Sequence, residues 1–153
     1  MLMADLKSRL HADLTAAMKA RDELTTATLR MVLAAVTTEE VAGRQARELS
    51  DDEVMRVLAR EAKKRREAAE AFDAGSRAEL AARERAEGEV VARYLPTPLS
   101  DEELAQVVRQ CVTQIGATGM AQMGQVIKAV QAVVGNRADG RRIADEVRHQ
   151  LAG

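Results

Sequence analysis

With 153 residues, the chain can form one domain or two small ones and can bury a core. Hydrophobic residues make up 46%, charged ones 31%, and the only aromatics are Phe72 and Tyr94; abundant helix formers with almost no aromatic strand formers point to an all-α fold. A formal net charge of −1, with basic and acidic groups at 7 and 10 over residues 1–53, 10 and 8 over 54–99, and 6 and 6 over 100–153, excludes a global positive field, so any polyanion contact must be local.

Leu6, Leu10, Leu14 and Met18 recur every four residues and predict a first amphipathic helix over about 3–20. Arg21-Asp22-Glu23 breaks it. A second helix over about 24–42 carries Leu24, Leu29, Val32, Leu33 and Val36, with Gly43 as the expected C-cap. Leu49-Ser50-Asp51-Asp52-Glu53-Val54 reads as a capping box with a hydrophobic staple and opens a third helix that runs to about Ala74 and ends at Gly75. Ser76 with Glu79 is expected to cap a fourth helix that continues to Tyr94 or Leu95. The turn between these two is short, so they form a long antiparallel hairpin over about 50–95. Its expected seam sets Val54, Leu58, Ala62, Ala69 and Phe72 against Leu80, Val91 and Tyr94.

Pro96-Thr97-Pro98 marks a boundary, because each proline disfavours helix in the residue before it. The expected organisation is an N-terminal helical domain (1–95), a Pro-containing linker (96–99) and a C-terminal three-helix module (100–153). Leu99-Ser100-Asp101-Glu102-Glu103-Leu104 repeats the capping-box pattern. The module's apolar stripes are Leu104, Val107, Val108, Cys111, Val112 and Ile115, closed by Gly116; Met120, Met123, Ile127, Val130 and Val134, closed by Gly135; and Ile143, Val147 and Leu151.

Three islands carry a resemblance to the GatB/YqeY family, and specifically to its free-standing YqeY-like members. They are Leu29-Arg30-Met31-Val32-Leu33-Ala34-Ala35-Val36, then Tyr94-Leu95-Pro96 with the cap that follows, and finally Met123-Gly124 with Gly135-Asn136-Arg137-Ala138-Asp139-Gly140 and the closing helix over 141–151. Between the first two, the charged run from Leu58 to Glu67 resembles the family's long helix. Two places depart from the pattern. Thr37-Thr38 stands where relatives often carry lysine and asparagine, and Gln125 stands where a basic residue is common. The resemblance implies kinship with the tail of the tRNA-recognising subunit of glutamine-dependent aminoacyl-tRNA amidotransferase, and hence transfer-RNA biology.

By that resemblance, tRNA contact falls in the C-terminal module. Lys128, Arg137, Arg141 and Arg142 could gather around the entrance of the last helix, where exposed amides at Gly140 and guanidinium groups can hold phosphates without reading bases. Asp139 is expected to cap that helix. Gly124 is read as a mid-helix glycine allowing close approach, either of a nucleic-acid backbone or, the preferred reading, of a neighbouring helix. Lys63 and Lys64, with Arg56 and Arg60, form a second basic stripe that could track phosphates, though a solvated helix face, some of its charges in pairs such as Lys63–Glu67 and Arg66–Glu70, is the preferred reading. No catalytic residue, metal site or cofactor is expected. Cys111 lies in an apolar stripe, Ser50, Ser76 and Ser100 are assigned as caps, and His11 and His149 lie near opposite ends. A single cysteine precludes an internal disulfide, Asp5, Lys7 and Arg9 interrupt any leader-like run, and the longest apolar stretch, 31–36, is too short for a bilayer. A cytoplasmic protein without a membrane partner is expected. The expected function is a tRNA-associated accessory protein without catalysis of its own. Two alternatives stand beside it: a protein–protein adaptor acting through the hairpin, and a subunit of a carbon–nitrogen ligase that uses glutamine as amide donor. Oligomeric state is not legible.

Overall fold

The computed structural model describes residues 5–153, and every regular element in them is helical: α1 (Leu6–Lys19), α2 (Glu23–Glu40), α3 (Asp51–Ala74), α4 (Ala78–Ala92), α5 (Asp101–Ile115), α6 (Met123–Val134) and α7 (Gly140–Ala152). Short 3₁₀ turns at Met120–Gln122 and Gly135–Arg137 flank α6. Residues 3 and 4 of the predicted first helix lie outside the described residues. The all-α architecture with a long hairpin and a C-terminal bundle is as the composition and periodicity predict.

The chain divides into two compact units, one ending at Leu95 and the other beginning at Pro96. In the first, Leu10 of α1, Leu29, Val32 and Val36 of α2, Val54 and Leu58 of α3 and Val91 of α4 close one core. Asp5 caps α1, its carboxylate accepting from Ser8 N at 2.7 Å, and Asp22 caps α2, accepting from Thr25 N at 3.0 Å. Met18, the last residue of the predicted α1 stripe, is instead 49% exposed, and Ala17 is buried in its place. The reason is the end of the helix: Arg21 turns left-handed at φ 57, while Asp22 N reaches back to Ala17 O and Arg21 N to Met18 O. That six-to-one and five-to-two pattern closes α1 and starts α2 one residue later.

The same motif joins α3 to α4 and corrects two expectations. Arg77 N donates to Phe72 O and Ser76 N to Asp73 O, with Ser76 at φ 59. Ser76 is therefore the left-handed residue that ends α3, not the cap of α4, which starts at Ala78 with no side-chain cap. On α4 Ala81 is buried and Leu80 is 43% exposed, contrary to the predicted seam. Gly43 caps nothing. α2 ends at Glu40 with Val41 as C-cap, and the following loop is tied by Arg47 N to Glu40 O and by Leu49 N to the Glu40 carboxylate, which also pairs with Lys7 at 2.9 Å. Both predicted capping boxes form, Ser50 with Glu53 and Ser100 with Glu103.

The second unit packs Leu104, Val108 and Cys111 of α5, Val126, Val130 and Val134 of α6, and Ile143 and Val147 of α7. Leu99 joins this core, and its amide donates to Arg137 O at 2.8 Å. Met120 is 45% exposed in a 3₁₀ turn, so the α6 stripe begins only at Met123. Gly116 ends α5 in the left-handed region at φ 72, where glycine adds no Cβ strain.

Candidate nucleic-acid interface

The entrance of α7 is built by its own sequence. Gly135, at φ 55, turns the chain out of α6; a 3₁₀ turn brings it to Asp139, whose carboxylate accepts from Arg142 N at 2.9 Å. The N-cap position is thus filled by the chain's own anion, as expected of Asp139. Gly140 is the first residue of α7 and is exposed, with open space where a side chain would stand.

The arginines around this entrance do different work. Arg137 Nε donates to Thr97 O at 3.0 Å. Arg142 donates to Leu99 O at 2.9 Å and pairs with Asp101 at 3.0 Å. These two side chains hold the 97–101 segment against the start of α7. Arg141 is exposed and, among the described residues, makes no hydrogen bond or ion pair. Lys128 on α6 is likewise exposed and unpaired among the described residues. It stands one turn beyond Gly124 on the same helix, a four-residue spacing that puts both on one face.

Gly124 departs from its preferred reading. It lies in the first turn of α6, not in mid-helix, and it is exposed, with nothing within 4 Å of where a Cβ would be. No neighbouring helix needs its bareness. An open cleft is lined by Asp101, Leu104, Arg142, Asp145 and Glu146, so three carboxylates share it with one guanidinium and disfavour phosphate there.

On the hairpin, Lys63 is exposed and unpaired among the described residues, whereas Lys64 pairs with Glu61 at 3.2 Å and Arg60 with Glu39 at 2.8 Å. Arg56 is also exposed. Such pairs, with their cations more than half exposed, are worth about 0–1 kcal/mol and exchange readily for another anion. Arg65, inside the same basic run, turns inward toward Glu61, Glu84 and Glu87. Sequence reasoning missed this group: the Glu61–Arg65 and Glu84–Glu87 spacings were visible, but only hairpin register brings the pairs together.

The nucleophile candidates sit in structural roles. Cys111 is buried, and that burial pushes its thiol pKa up, away from the reactive thiolate. Ser50 and Ser100 accept from Glu53 N and Glu103 N as caps. Hydrogen bonds from Ser100, first from its backbone and then its hydroxyl, hold the Glu103 carboxyl below the usual range, with the Arg137 charge a smaller contribution. His11 and His149 are both exposed.

Among the described residues, fold and site together define a two-unit, all-α protein with exposed, unpaired cations on its C-terminal bundle. A family profile described as Yqey-like protein matches residues 7–151, nearly the whole chain, and the protein belongs to that family. Comparison with curated proteins gives no match. Among the described residues no helix is long and apolar enough to cross a membrane.

Proposed function

We propose that this protein is a cytoplasmic, tRNA-associated accessory protein whose C-terminal unit contacts the RNA backbone and leaves bond-making to other enzymes. The observation that carries the reading is the pair Lys128 and Arg141, exposed and without a partner among the described residues, each near a bare glycine, Gly124 and Gly140 respectively. Bare glycines let a polynucleotide backbone approach a helix start, and free cations there neutralise phosphates. Arg137 and Arg142 act as the frame that presents Arg141, and Lys63 with Lys64 offers a second, weaker phosphate track. The resemblance of residues 123–151 to the tail of the tRNA-recognising amidotransferase subunit supports tRNA as the polyanion. With only two aromatic residues in the chain, base stacking contributes little, so contact is to phosphate and sugar.

Filter binding of bulk tRNA across a salt series tests this. Expected is salt-sensitive binding whose log–log slope falls by about one for Lys128→Ala and again for Arg141→Ala, with circular dichroism unchanged. Absence of binding at low salt overturns the reading and favours the adaptor alternative, for which the exposed Leu80 on the hairpin is the specific observation. Glutamine turnover by the purified protein alone overturns the non-catalytic part. Ammonia transfer that appears only with added subunits favours the ligase-subunit alternative.

A further inference from the structure

Where the hairpin leaves the N-terminal core, its apolar contacts become small. Ala69 and Ala81 are buried, yet both stand outside the core cluster that ends near Ala62. Alanine faces let helices approach closely, and beyond that core the half-buried Phe72 is the one large apolar side chain of α3 among the described residues, so little there selects one rotation of a helix about its axis. The tight turn at residues 75–77 limits sliding of α3 along α4; it does not set that rotation.

At this level Arg65 of α3 faces three carboxylates. Its Nη2 donates to Glu61 of the same helix at 3.2 Å, its Nη1 lies 3.7 Å from Glu84, and its Nε lies 3.5 Å from Glu87, the last two on α4. Lys64 on the Glu61 side and Arg83 on the Glu87 side complete the charge balance, and Nη2 also reaches Met31 Sδ of α2 at 3.4 Å. The Arg65 stem crosses α4 at Gly88, where an added Cβ would meet Arg65 Cβ at 3.5 Å. Arg65 Nε and Glu84 Oε2 are buried, and each is held by an ion pair longer than a hydrogen bond among the described residues.

We propose that Arg65, with Glu61, Glu84 and Glu87, is a rotational lock at the root of the hairpin arm: it selects one mutual rotation of α3 and α4 and contributes uniqueness rather than stability. A guanidinium presents its donors in one rigid plane, so carboxylates from two helices reach it together only at one helix rotation. The two pairs that cross to α4 are long, 3.5 and 3.7 Å, so they gain little hydrogen-bond energy against the cost of desolvation, and apolar packing of the same volume would stabilise as well. In some proteins buried ionic groups are retained because they exclude alternative arrangements.

The test uses the full-length chain with Glu61→Met, Arg65→Met, Glu84→Met and Glu87→Met combined, an apolar replacement of similar length. Expected is a urea midpoint equal to or above that of the unmodified protein, with amide exchange over residues 66–86 accelerated at least about tenfold relative to core amides. Arm resonances should also split into more than one set. A single set of arm resonances with unchanged exchange overturns the proposal. A collapse of the urea midpoint also overturns it, because the network would then be a net stabiliser. Arg65→Lys, which keeps the charge and removes the planar fork, is expected to accelerate arm exchange at least about threefold with the fold retained; unchanged exchange in this variant counts against the lock.

Discussion

Removing one hydroxyl from Tyr94 tests how the end of α4 is tied to α1. Tyr94 is 8% exposed; its Oη donates to Asp13 Oδ2 at 2.5 Å, and Arg9 lies over its ring at 4.7 Å. Tyr94→Phe keeps the ring, its packing and the cation–π contact, so the loss isolates the hydrogen bond. A bond to a charged acceptor contributes about 1.5–3 kcal/mol, but the Asp13 side chain is 45% exposed and water can replace the lost donor. The expected cost is therefore about 1–2 kcal/mol, reaching below that range. Urea unfolding by far-UV circular dichroism measures it, and a cycle with Asp13→Ala, which removes the acceptor, should return a coupling of about 1 kcal/mol.

Because Tyr94 is the sole tyrosine, its ionisation can be followed directly by tyrosinate absorbance. Burial first, and then the bond to Asp13, raises its pKa well above the ordinary value of 10.0. The folded chain thus holds this proton where the unfolded chain releases it, so stability is intact below pH 10.0 and falls as pH rises above it. Tyr94→Phe should lose that alkaline dependence. A cost within about 0.3 kcal/mol together with zero coupling, or a tyrosine that titrates at its ordinary value in the folded protein, would refute the reasoning.

Ser76→Gly should stabilise the chain by about 1 kcal/mol in thermal or urea unfolding, because a left-handed serine carries a steric cost that glycine avoids. Stability should also fall in acid. Arg47, and next the backbone bond from Ser50, hold the Glu53 carboxyl down at about 2 from 4.5, and Lys7 lowers that of Glu40. Stability from depressed carboxyls is fully present above the unfolded value near 4.5 and is lost as pH drops toward 2. Arg47→Ala should blunt this acid slope in a pH series of urea midpoints. Cys111 should react with a soluble disulfide reagent only at the rate of unfolding, since it is buried and its thiol pKa is raised.

Much of this molecule was written locally. The capping boxes at Ser50 and Ser100, the Asp139 cap, the Gly116 stop and the apolar stripes of α2 and α5 depend on neighbours three or four residues apart, and such patterns are readable without a fold. The resemblance to the YqeY-like family was legible for a similar reason: its islands are short runs in a definite order. Tertiary structure decided what depends on partners distant in sequence. Arg65 looked like one more cation in a basic run until the hairpin set Glu84 and Glu87 opposite it. Arg142 and Arg137 looked free until the 97–101 segment folded back onto them, 40 or so residues away in sequence. The burial of Ala81 in place of Leu80, and the left-handed position taken by Ser76 rather than Gly75, were likewise settled by how α4 packs on α3. Side-chain chemistry can be inferred from local order, but which charges remain available to a ligand is set by the groups the folded chain brings against them.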